Sequence, residues 1–353
     1  MISLNDLYWV LGEQNLGPLE FYFAKALKKN NKNSSYINIH SLYPDYWKKL
    51  TPYSHRFPRK FDNAVQKKYY CVINESVKQK YLKEKPSFIF VYNDCKLLPE
   101  TIKFFRSNGT KVIVFLGDDP NYLIQDKKLF LLNVIEADYV ILPDTGWIDG
   151  LKMVGVENII HSPIGTDTDT FFKMTPSAED QKKYCADFLF IGTGYFLNSW
   201  GLRRATLLNE LTGFNLKIFG DKFWYELFDY YPELQNHFTC NPLPANIVNI
   251  ACNCASIYPV VVNSGVVNGV STRVFDCMAS GIFVLAEYRK DIELFFDNSE
   301  IVFFKSKKEL KDKASYFLKN KNEMKDISEN ARKKVIENYT LEKSLKNILE
   351  QII

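Results

Sequence analysis

Four polar residues in the last third of the chain have the types and spacing that a phosphorylated ligand requires. Ser271, Thr272 and Arg273 are adjacent, and Asp276 follows one helical turn later. Backbone N–H groups at the start of a helix lack partners within the helix and attract anions, and a hydroxyl and a guanidinium strengthen that attraction. A carboxylate one turn further on can accept hydrogen bonds from a ribose diol. This combination indicates a site for a nucleoside diphosphate.

A helix that leads into a buried strand must position these residues. Apolar residues recur at helical spacing from Val270 to Met278, and Gly281 provides the stop. Residues 282–286 then form an apolar run of strand length. An ordinary amphipathic helix of an α/β domain is the alternative explanation.

Residues 273–281, Arg-Val-Phe-Asp-Cys-Met-Ala-Ser-Gly, also resemble a known signature. It is the R-x-F-E-A-x-A-x-G pattern of CgeB-like glycosyltransferases, a bacterial branch related to the large retaining glycosyltransferase families of GT-B fold. The resemblance implies that Asp276 holds the ribose of a nucleotide-diphosphate sugar, which is a co-substrate, and that no other cofactor is needed. Retaining members often carry a second acidic residue eight positions earlier, where this chain has Asn268. That departure leaves the stereochemistry of the reaction open.

A glycine-containing turn indicates a second contact with the donor. Gly192-Thr193-Gly194 follows an apolar strand and precedes a helix, so its backbone could approach a phosphate closely. A plain tight turn explains the same residues. The turn, the Arg203–Arg204 pair and the strand that ends at Gly220 resemble, in order and separation, the donor domain of the same family. We therefore expect Gly192, Thr193, Gly194, Arg203 and Gly220 to bind the donor.

Residues 163–171 resemble the segment at the domain junction of that superfamily. They include Asp167 and Asp169, two residues apart, which could also be the metal-binding Asp-x-Asp of GT-A enzymes. In GT-A enzymes that motif lies in the middle of one domain and not at a junction. We therefore predict no metal, and expect Arg273 to stabilise the departing diphosphate electrostatically.

The first part of the chain offers glycines and carboxylates where strands end. The turn from Gly12 to Gly17 occupies the place of a glycine loop that meets the donor, and Asp94 and Asp119 follow two later strands. Either carboxylate could position an acceptor hydroxyl or act as a base, and we expect both to be catalytic together with Arg273. Helix caps and turn formers are an equally good explanation for each.

Composition narrows the class of protein. The 353 residues contain 46% hydrophobic and 24% charged residues, as in a soluble globular protein with two domains. A net charge of +4 is too small to indicate a nucleic-acid partner. There is no apolar run of membrane-spanning length and no export signal, so a cytoplasmic location is expected, with a peripheral contact at the inner face of the membrane at most.

Residues 43–61 interleave aromatic and basic residues and are predicted to be a loop-rich insertion. They could stack on an acceptor glycan or bind an anionic membrane surface, because Trp and Tyr prefer the interface and Lys and Arg attract acidic head groups. A solvated surface loop is the third explanation.

Strands and helices alternate along nearly the whole sequence, which predicts parallel α/β sheets. We expect a GT-B fold of two Rossmann-like domains with a cleft between them. The expected parts are an acceptor-side domain (1–165), a linker (166–184), a nucleotide-sugar domain (185–338) and a terminal helix (339–353) that crosses back to the first domain. The expected function is transfer of a sugar to a bacterial glycan, lipid-linked or protein acceptor. A GT-B sugar-nucleotide epimerase and a non-catalytic nucleotide-sugar-binding protein are the alternatives.

Overall fold

The computed structural model describes residues 6–12, 19–93, 96–120 and 130–352. The chain divides into two compact units. The first comprises the described residues up to Pro143, Trp147–Ser162 and the end of the chain from Leu345 onward. The second comprises Asp144–Gly146 and Pro163–Ser344, so residues 166–184 lie within it. The described helices include none that is long and apolar enough to cross a membrane.

The first unit is built on a six-stranded parallel sheet. Its strand order is 2-1-3-4-5-6, and helices connect the strands. The strands are β1 (Leu7–Gly12), β2 (Asn33–Asn38), β3 (Phe88–Tyr92), β4 (Lys111–Phe115), β5 (Tyr139–Leu142) and β6 (Ile159–His161). The helices are α1 (Leu19–Lys29), α2 (Asp45–Ser54), α3 (Arg59–Glu84), α4 (Pro99–Ser107), α5 (Phe130–Glu136) and α6 (Ile148–Met153).

The strands of this sheet are apolar almost without interruption because helices cover both faces. In β3 the residues Phe88–Val91 are all buried, and β4 is buried from Val112 onward. The sheet is parallel at every pairing, with Trp9 opposite Ile89 and Ile89 opposite Val112. The sequence prediction of a parallel α/β sheet is confirmed here.

The prediction of a loop-rich insertion at residues 43–61 is wrong. Residues 45–54 form α2, and α3 begins at Arg59. Trp47 is buried beside Tyr69 of α3, with ring centroids 6.2 Å apart. The Ser54 hydroxyl donates a hydrogen bond of 2.5 Å to Asp62, which joins the end of α2 to the first turns of α3. These tertiary contacts stabilise a helix whose own sequence contains a proline and several aromatic residues.

The second unit has a parallel sheet of the same size, with strand order 12-11-10-7-8-9. Its strands are β7 (Ala186–Ile191), β8 (Leu216–Gly220), β9 (Phe238–Cys240), β10 (Ala255–Val260), β11 (Phe283–Glu287) and β12 (Val302–Phe304). Its helices are α7 (Ala178–Tyr184), α8 (Ser199–Asn209), α9 (Ala245–Cys254), α10 (Thr272–Ser280), α11 (Ile292–Phe295), α12 (Lys307–Lys319) and α13 (Lys321–Asn338), followed by the start of α14 (Leu341–Ile352). A 3₁₀ helix over residues 222–227 follows β8, and the local sequence pattern does not predict the edge strand β9.

A hydrogen-bond network in the second unit fixes the segment that precedes α10. The Asp144 carboxylate, fully buried, accepts from the N–H groups of Val267 (2.7 Å) and Asn268 (2.9 Å). The Thr145 hydroxyl donates to Asp291 (2.6 Å) and accepts from the side-chain amide of Asn268 (3.0 Å). The backbone N–H of Asp291 in turn donates to the Asn268 carbonyl (2.9 Å). Asn268 therefore acts here as a side-chain donor, which a carboxylate could not replace.

We predict that Asn268→Asp lowers the melting temperature by several degrees. The new carboxylate would face the Thr145 oxygen as a second acceptor and add a negative charge beside buried Asp291, at a cost of about 1–3 kcal/mol. Asn263→Asp is the matched control, because the Asn263 side-chain oxygen accepts from the N–H groups of Gly265 and Val266 and a carboxylate can do the same. Differential scanning calorimetry of both variants tests this. Equal melting temperatures would show that the Asn268 amide is not needed for the network.

Candidate functional site

The predicted helix at residues 269–281 is confirmed as α10. The Ser271 hydroxyl caps it by accepting from the N–H of Arg273 (3.3 Å), and Gly281 ends it with a φ of 85°. Its apolar residues, from Val274 to Ala279 apart from Asp276, are fully buried against the core of the second unit. Thr272, Arg273 and Asp276 are thereby held on the remaining, partly exposed strip of the helix.

Asp276 lies at the centre of this strip. One carboxylate oxygen accepts a hydrogen bond of 2.8 Å from the Thr166 hydroxyl. The other lies 3.8 Å from the guanidinium of Arg273, one helical turn earlier. Burial raises the pKa of Asp276 to about 6, although Arg273 and the Thr166 bond act in the opposite direction and Asp167 adds to the rise. The carboxylate is therefore mostly ionised at neutral pH, about one pH unit above its pKa.

Thr166 is itself fixed by backbone pairing. Its N–H donates to the Tyr339 carbonyl (3.0 Å), and its own carbonyl accepts from the N–H of Leu341 (2.9 Å). Gly165, with a φ of 81°, allows this approach, since a Cβ there would lie 2.7 Å from the Tyr339 oxygen. The segment that resembles a domain junction thus presents a hydroxyl to Asp276.

Asp167, the first residue of the Asp-x-Asp pair, takes part in a local turn. The buried Asp167 carboxylate accepts from the Thr170 hydroxyl (2.6 Å), and its carbonyl accepts from the N–H of Phe171 (2.9 Å). Across the part of the chain that the structure describes, no group of three or more His, Cys, Asp or Glu side chains is placed to hold a metal ion. The contacts of Asp167 are those of a local turn acceptor, and the absence of a metal ion stays a prediction.

Arg273 remains a cation in this environment. Burial disfavours its charged form, but Tyr258, Asp276 and Cys277 outweigh that effect and the pKa of the guanidinium is raised. Its side chain is 30% exposed and, among the described residues, its one ion pair is the loose contact with Asp276. N–H groups of the guanidinium are therefore available to donate hydrogen bonds to an anion.

Packing accounts for the glycines of the predicted phosphate turn. A Cβ on Gly194 would lie 2.5 Å from the Trp224 backbone nitrogen, and one on Gly220 would lie 2.5 Å from the Gly192 carbonyl oxygen. Gly192 also accepts a hydrogen bond of 2.9 Å from the indole N–H of Trp224. Close contact with the 3₁₀ helix at 222–227 thus requires Gly194 and Gly220. A role of Gly192, Thr193, Gly194 and Gly220 in donor binding stays a prediction.

Of the two adjacent arginines, Arg203 is engaged by a buried carboxylate. It donates to Glu287, which also pairs with Arg289 at 2.9 Å and accepts from the N–H of Val262 at 3.2 Å. Glu287 is 5% exposed, so its charge needs these partners. A role of Arg203 in donor binding also stays a prediction, and the contacts give it a structural role.

Arg204, the second residue of the arginine pair, was not among the residues expected to bind the donor. It is buried, donates to the Thr193 carbonyl (2.6 Å), and lies over the rings of Phe190 (5.1 Å) and Tyr195 (4.6 Å). No carboxylate among the described residues pairs with it, and burial lowers its pKa. Helical spacing could have revealed it, because residues 201, 204, 205 and 208 form the buried face of α8.

Of the sites predicted in the first unit, Gly12 and Asp119 are described, and both lie at or after the carboxyl end of a strand. Gly12 ends β1 against the Tyr36 ring, and Asp119 follows β4. Asn93, after β3, donates to Asp118 (2.8 Å) and accepts from the N–H of Gly117 (2.8 Å). These contacts fit turn formation. Gly17 and Asp94 lie outside the described residues, and the catalytic role of Asp119 stays a prediction.

Comparison with known proteins gives a family model and a fold. Residues 203–350 match a family model described as "Glycosyl transferase-like". No curated protein matches the chain in sequence. The chain resembles the solved sucrose-phosphate synthase from Thermosynechococcus elongatus, with a TM-score of 0.71, 11% identity and 99% coverage of each chain. A glycosyltransferase from Rickettsia africae gives a TM-score of 0.63 at 15% identity, covering 98% of this chain and 97% of that one.

The Anabaena protein HepE in complex with UDP gives a TM-score of 0.64 at 11% identity, covering 98% of this chain and 99% of that one. Two parallel-sheet Rossmann-like units with these matches confirm the predicted fold class. Resemblance to the CgeB-like branch in particular stays a prediction. The chain has the fold of GT-B glycosyltransferases and is glycosyltransferase-like in sequence over residues 203–350.

Proposed function

We propose that this protein transfers a sugar from a nucleotide-diphosphate donor to an acceptor hydroxyl, without a metal ion. The observation that carries the proposal is the pairing of Asp276 and Arg273 on the exposed strip of α10, at its capped N-terminal end. One carboxylate and one cation, a helical turn apart, match the two ends of a nucleoside diphosphate, its ribose and its phosphates.

Asp276 is proposed to bind the ribose diol. Thr166 occupies one lone pair of one oxygen, so the carboxylate retains acceptor capacity for two hydroxyl groups. Hydrogen bonds to an ionised carboxylate in a partly buried position are stronger than neutral ones. The Thr166 bond also orients the carboxylate before the ligand arrives, which lowers the entropic cost of binding.

Arg273 is proposed to stabilise the leaving diphosphate. When the bond between the sugar C1 and the diphosphate oxygen breaks, negative charge grows on that oxygen, and a fixed cation counts most at that moment. The N–H of Thr272 adds a donor, because the Ser271 cap satisfies the N–H of Arg273 and no described residue accepts from that of Thr272. Arg204, buried without a carboxylate partner among the described residues, is proposed as a second source of positive charge.

The ligands present in structures of similar fold support the donor class. HepE was solved with UDP and with UDP-glucose, and an Escherichia coli structure with UDP-2-fluoro glucose matches at a TM-score of 0.64 and 11% identity. We propose a nucleotide-diphosphate sugar as donor, and a glycan, a lipid-linked sugar or a protein as acceptor, in the cytoplasm. Asp94 and Asp119 are proposed to orient the acceptor hydroxyl.

An assay of nucleoside diphosphate release tests this function. A panel of nucleotide sugars is supplied with and without a chelator, and at least one donor is expected to be turned over at the same rate in both conditions. Manganese-dependent turnover that the chelator abolishes would contradict the metal-free proposal. Tight binding of nucleotide sugars with no release from any of them would favour a non-catalytic binding protein.

We predict that Asp276→Asn weakens nucleoside diphosphate binding by about tenfold at pH 7.5, since charge-assisted hydrogen bonds contribute about 1.5–3 kcal/mol. The variant should not be less stable at that pH. The raised pKa means that the folded state holds a proton more tightly than the unfolded chain between pH 3.8 and about 6. This contribution to stability is full below pH 3.8 and is lost as the pH rises through about 6, so ionised Asp276 opposes folding at neutral pH.

Isothermal titration calorimetry at several pH values measures this effect. Parental affinity should fall as the pH is lowered through about 6, and Asp276→Asn should lack that part of the pH dependence. Asp326→Asn, at an exposed position of α13, is the control and should bind as the parent does. If Asp276→Asn also binds as the parent does, Asp276 does not hold the ribose.

We predict that Arg273→Ala lowers turnover by at least about a hundredfold, equivalent to about 2.7 kcal/mol of barrier. Arg273→Lys should recover part of the loss, because an ammonium offers a point charge in place of a planar fork of donors. Steady-state kinetics on both variants, each with a melting curve within a few degrees of the parent, provide the measurement. Near-parental turnover of a folded Arg273→Ala protein would show that this guanidinium does not face the reaction.

A further inference from the structure

The first unit exposes an unusual run of large apolar side chains. One face of α2 carries Trp47, Thr51 and Ser54, which are spaced at i, i+4 and i+7. These residues contact α3, and Thr51 also donates a hydrogen bond to the Trp47 carbonyl within α2. A second set, displaced by one residue and therefore by about 100° around the helix, has the same spacing. It continues past the end of α2 into the first turn of α3. This exposed apolar stripe consists of Tyr46, Leu50, Tyr53, Phe57 and Phe61.

The stripe is exposed although its members are apolar. Its side chains are between 39% and 58% exposed. The rings of Phe57 and Phe61 lie 5.1 Å apart, which joins the turn after α2 to the first turn of α3. Single exposed apolar residues are ordinary on a protein surface, but five in one row indicate a binding surface.

Cations border the stripe on both helices. Between residues 43 and 61 there are five basic residues, Lys48, Lys49, Arg56, Arg59 and Lys60, and one acidic residue, Asp45. Asp45 pairs with Lys48 at 2.6 Å. Within the described residues the other four basic side chains pair with no carboxylate, and Arg56 lies 5.1 Å over the Tyr53 ring. Charge and apolar surface are thus presented together.

We propose that the exposed apolar stripe and its bordering cations dock this protein on an anionic lipid bilayer. Phe and Leu side chains enter the boundary between head groups and acyl chains, Tyr rings remain at the head-group level, and Lys and Arg attract acidic head groups. The mixture of exposed aromatic and basic residues complements a negatively charged interface that is apolar beneath its head groups. The proposal does not depend on the proposed enzymatic function.

Vesicle co-sedimentation tests it with the full-length protein. The protein should bind vesicles of phosphatidylcholine with about one third phosphatidylglycerol, and should bind pure phosphatidylcholine at least about tenfold more weakly. Salt at about 0.5 M, where the Debye length is below about 5 Å, should release most of it. Because each Lys or Arg near such a surface contributes about fivefold in partitioning, Lys49→Glu, Arg56→Glu and Lys60→Glu combined should reduce binding by well over tenfold.

Tyr53→Ser with Phe57→Ser should also reduce binding severalfold without changing the net charge. The control variant combines Tyr230→Ser, Lys308→Glu and Lys321→Glu, all at exposed positions of the second unit, and should bind as the parent does. Melting curves establish that each variant is folded; if the double serine variant unfolds, Phe57→Ser alone is used. The proposal would be overturned if the parent did not bind anionic vesicles, or if the control variant lost as much vesicle binding as the stripe variants. It would also be overturned if the parent were a dimer that the stripe variants convert to a monomer.

Discussion

The burial of one face of α10 is the constraint on which the candidate site depends. Val274, Phe275 and Cys277 are fully buried against the sheet and neighbouring helices of the second unit. A helix packed in this way cannot rotate without exposing that apolar surface, at a cost of about 25 cal/mol for each Å². The polar residues are therefore held on one strip, and the distance between Arg273 and Asp276 follows from one turn of helix. Hydrophobic packing in this way fixes the geometry of the polar groups.

Two buried charged residues of the second unit, Glu287 and Arg204, differ in how their charge is compensated. Glu287 is surrounded by two guanidinium groups and a backbone N–H, so its charge is compensated within the protein. Arg204, also buried, has the Thr193 carbonyl and two aromatic faces but no carboxylate among the described residues. A buried cation without a carboxylate partner is costly in a low-dielectric interior unless hydrogen-bond acceptors and aromatic faces compensate its charge. The two adjacent arginines of α8 are thus held differently, Arg203 by a buried carboxylate and Arg204 by carbonyl oxygens and aromatic rings.

The sequence was enough to predict the strands and helices that are specified by patterns of neighbouring residues. The alternation of apolar strands with amphipathic helices predicted both parallel sheets, and Gly281 marked the end of α10 correctly. Helix α2 was missed because its stability comes from contacts of Trp47 and Ser54 with α3, which no local pattern reveals. Strand β9, three residues long at a sheet edge, has too few residues to show alternation. The hydrogen bond from Thr166 to Asp276 joins residues 110 positions apart, and spacing alone could not predict it.

Asn268 shows how a departure from a family pattern can have a structural cause. Its amide donates a hydrogen bond to the Thr145 hydroxyl oxygen. Because the hydrogen of that hydroxyl is donated to Asp291, the side chain at position 268 must itself be a donor. Asp144 accepts from two consecutive N–H groups of the same segment, which leaves the chain entering α10 little freedom. A rigid approach to the helix holds the N-terminal donors in place before a ligand arrives, and preorganised donors stabilise developing charge without further reorganisation. In this chain position 268 contributes to the rigidity of the segment through its amide, so the proposed charge stabilisation would depend on Arg273 and the N–H groups at the start of α10.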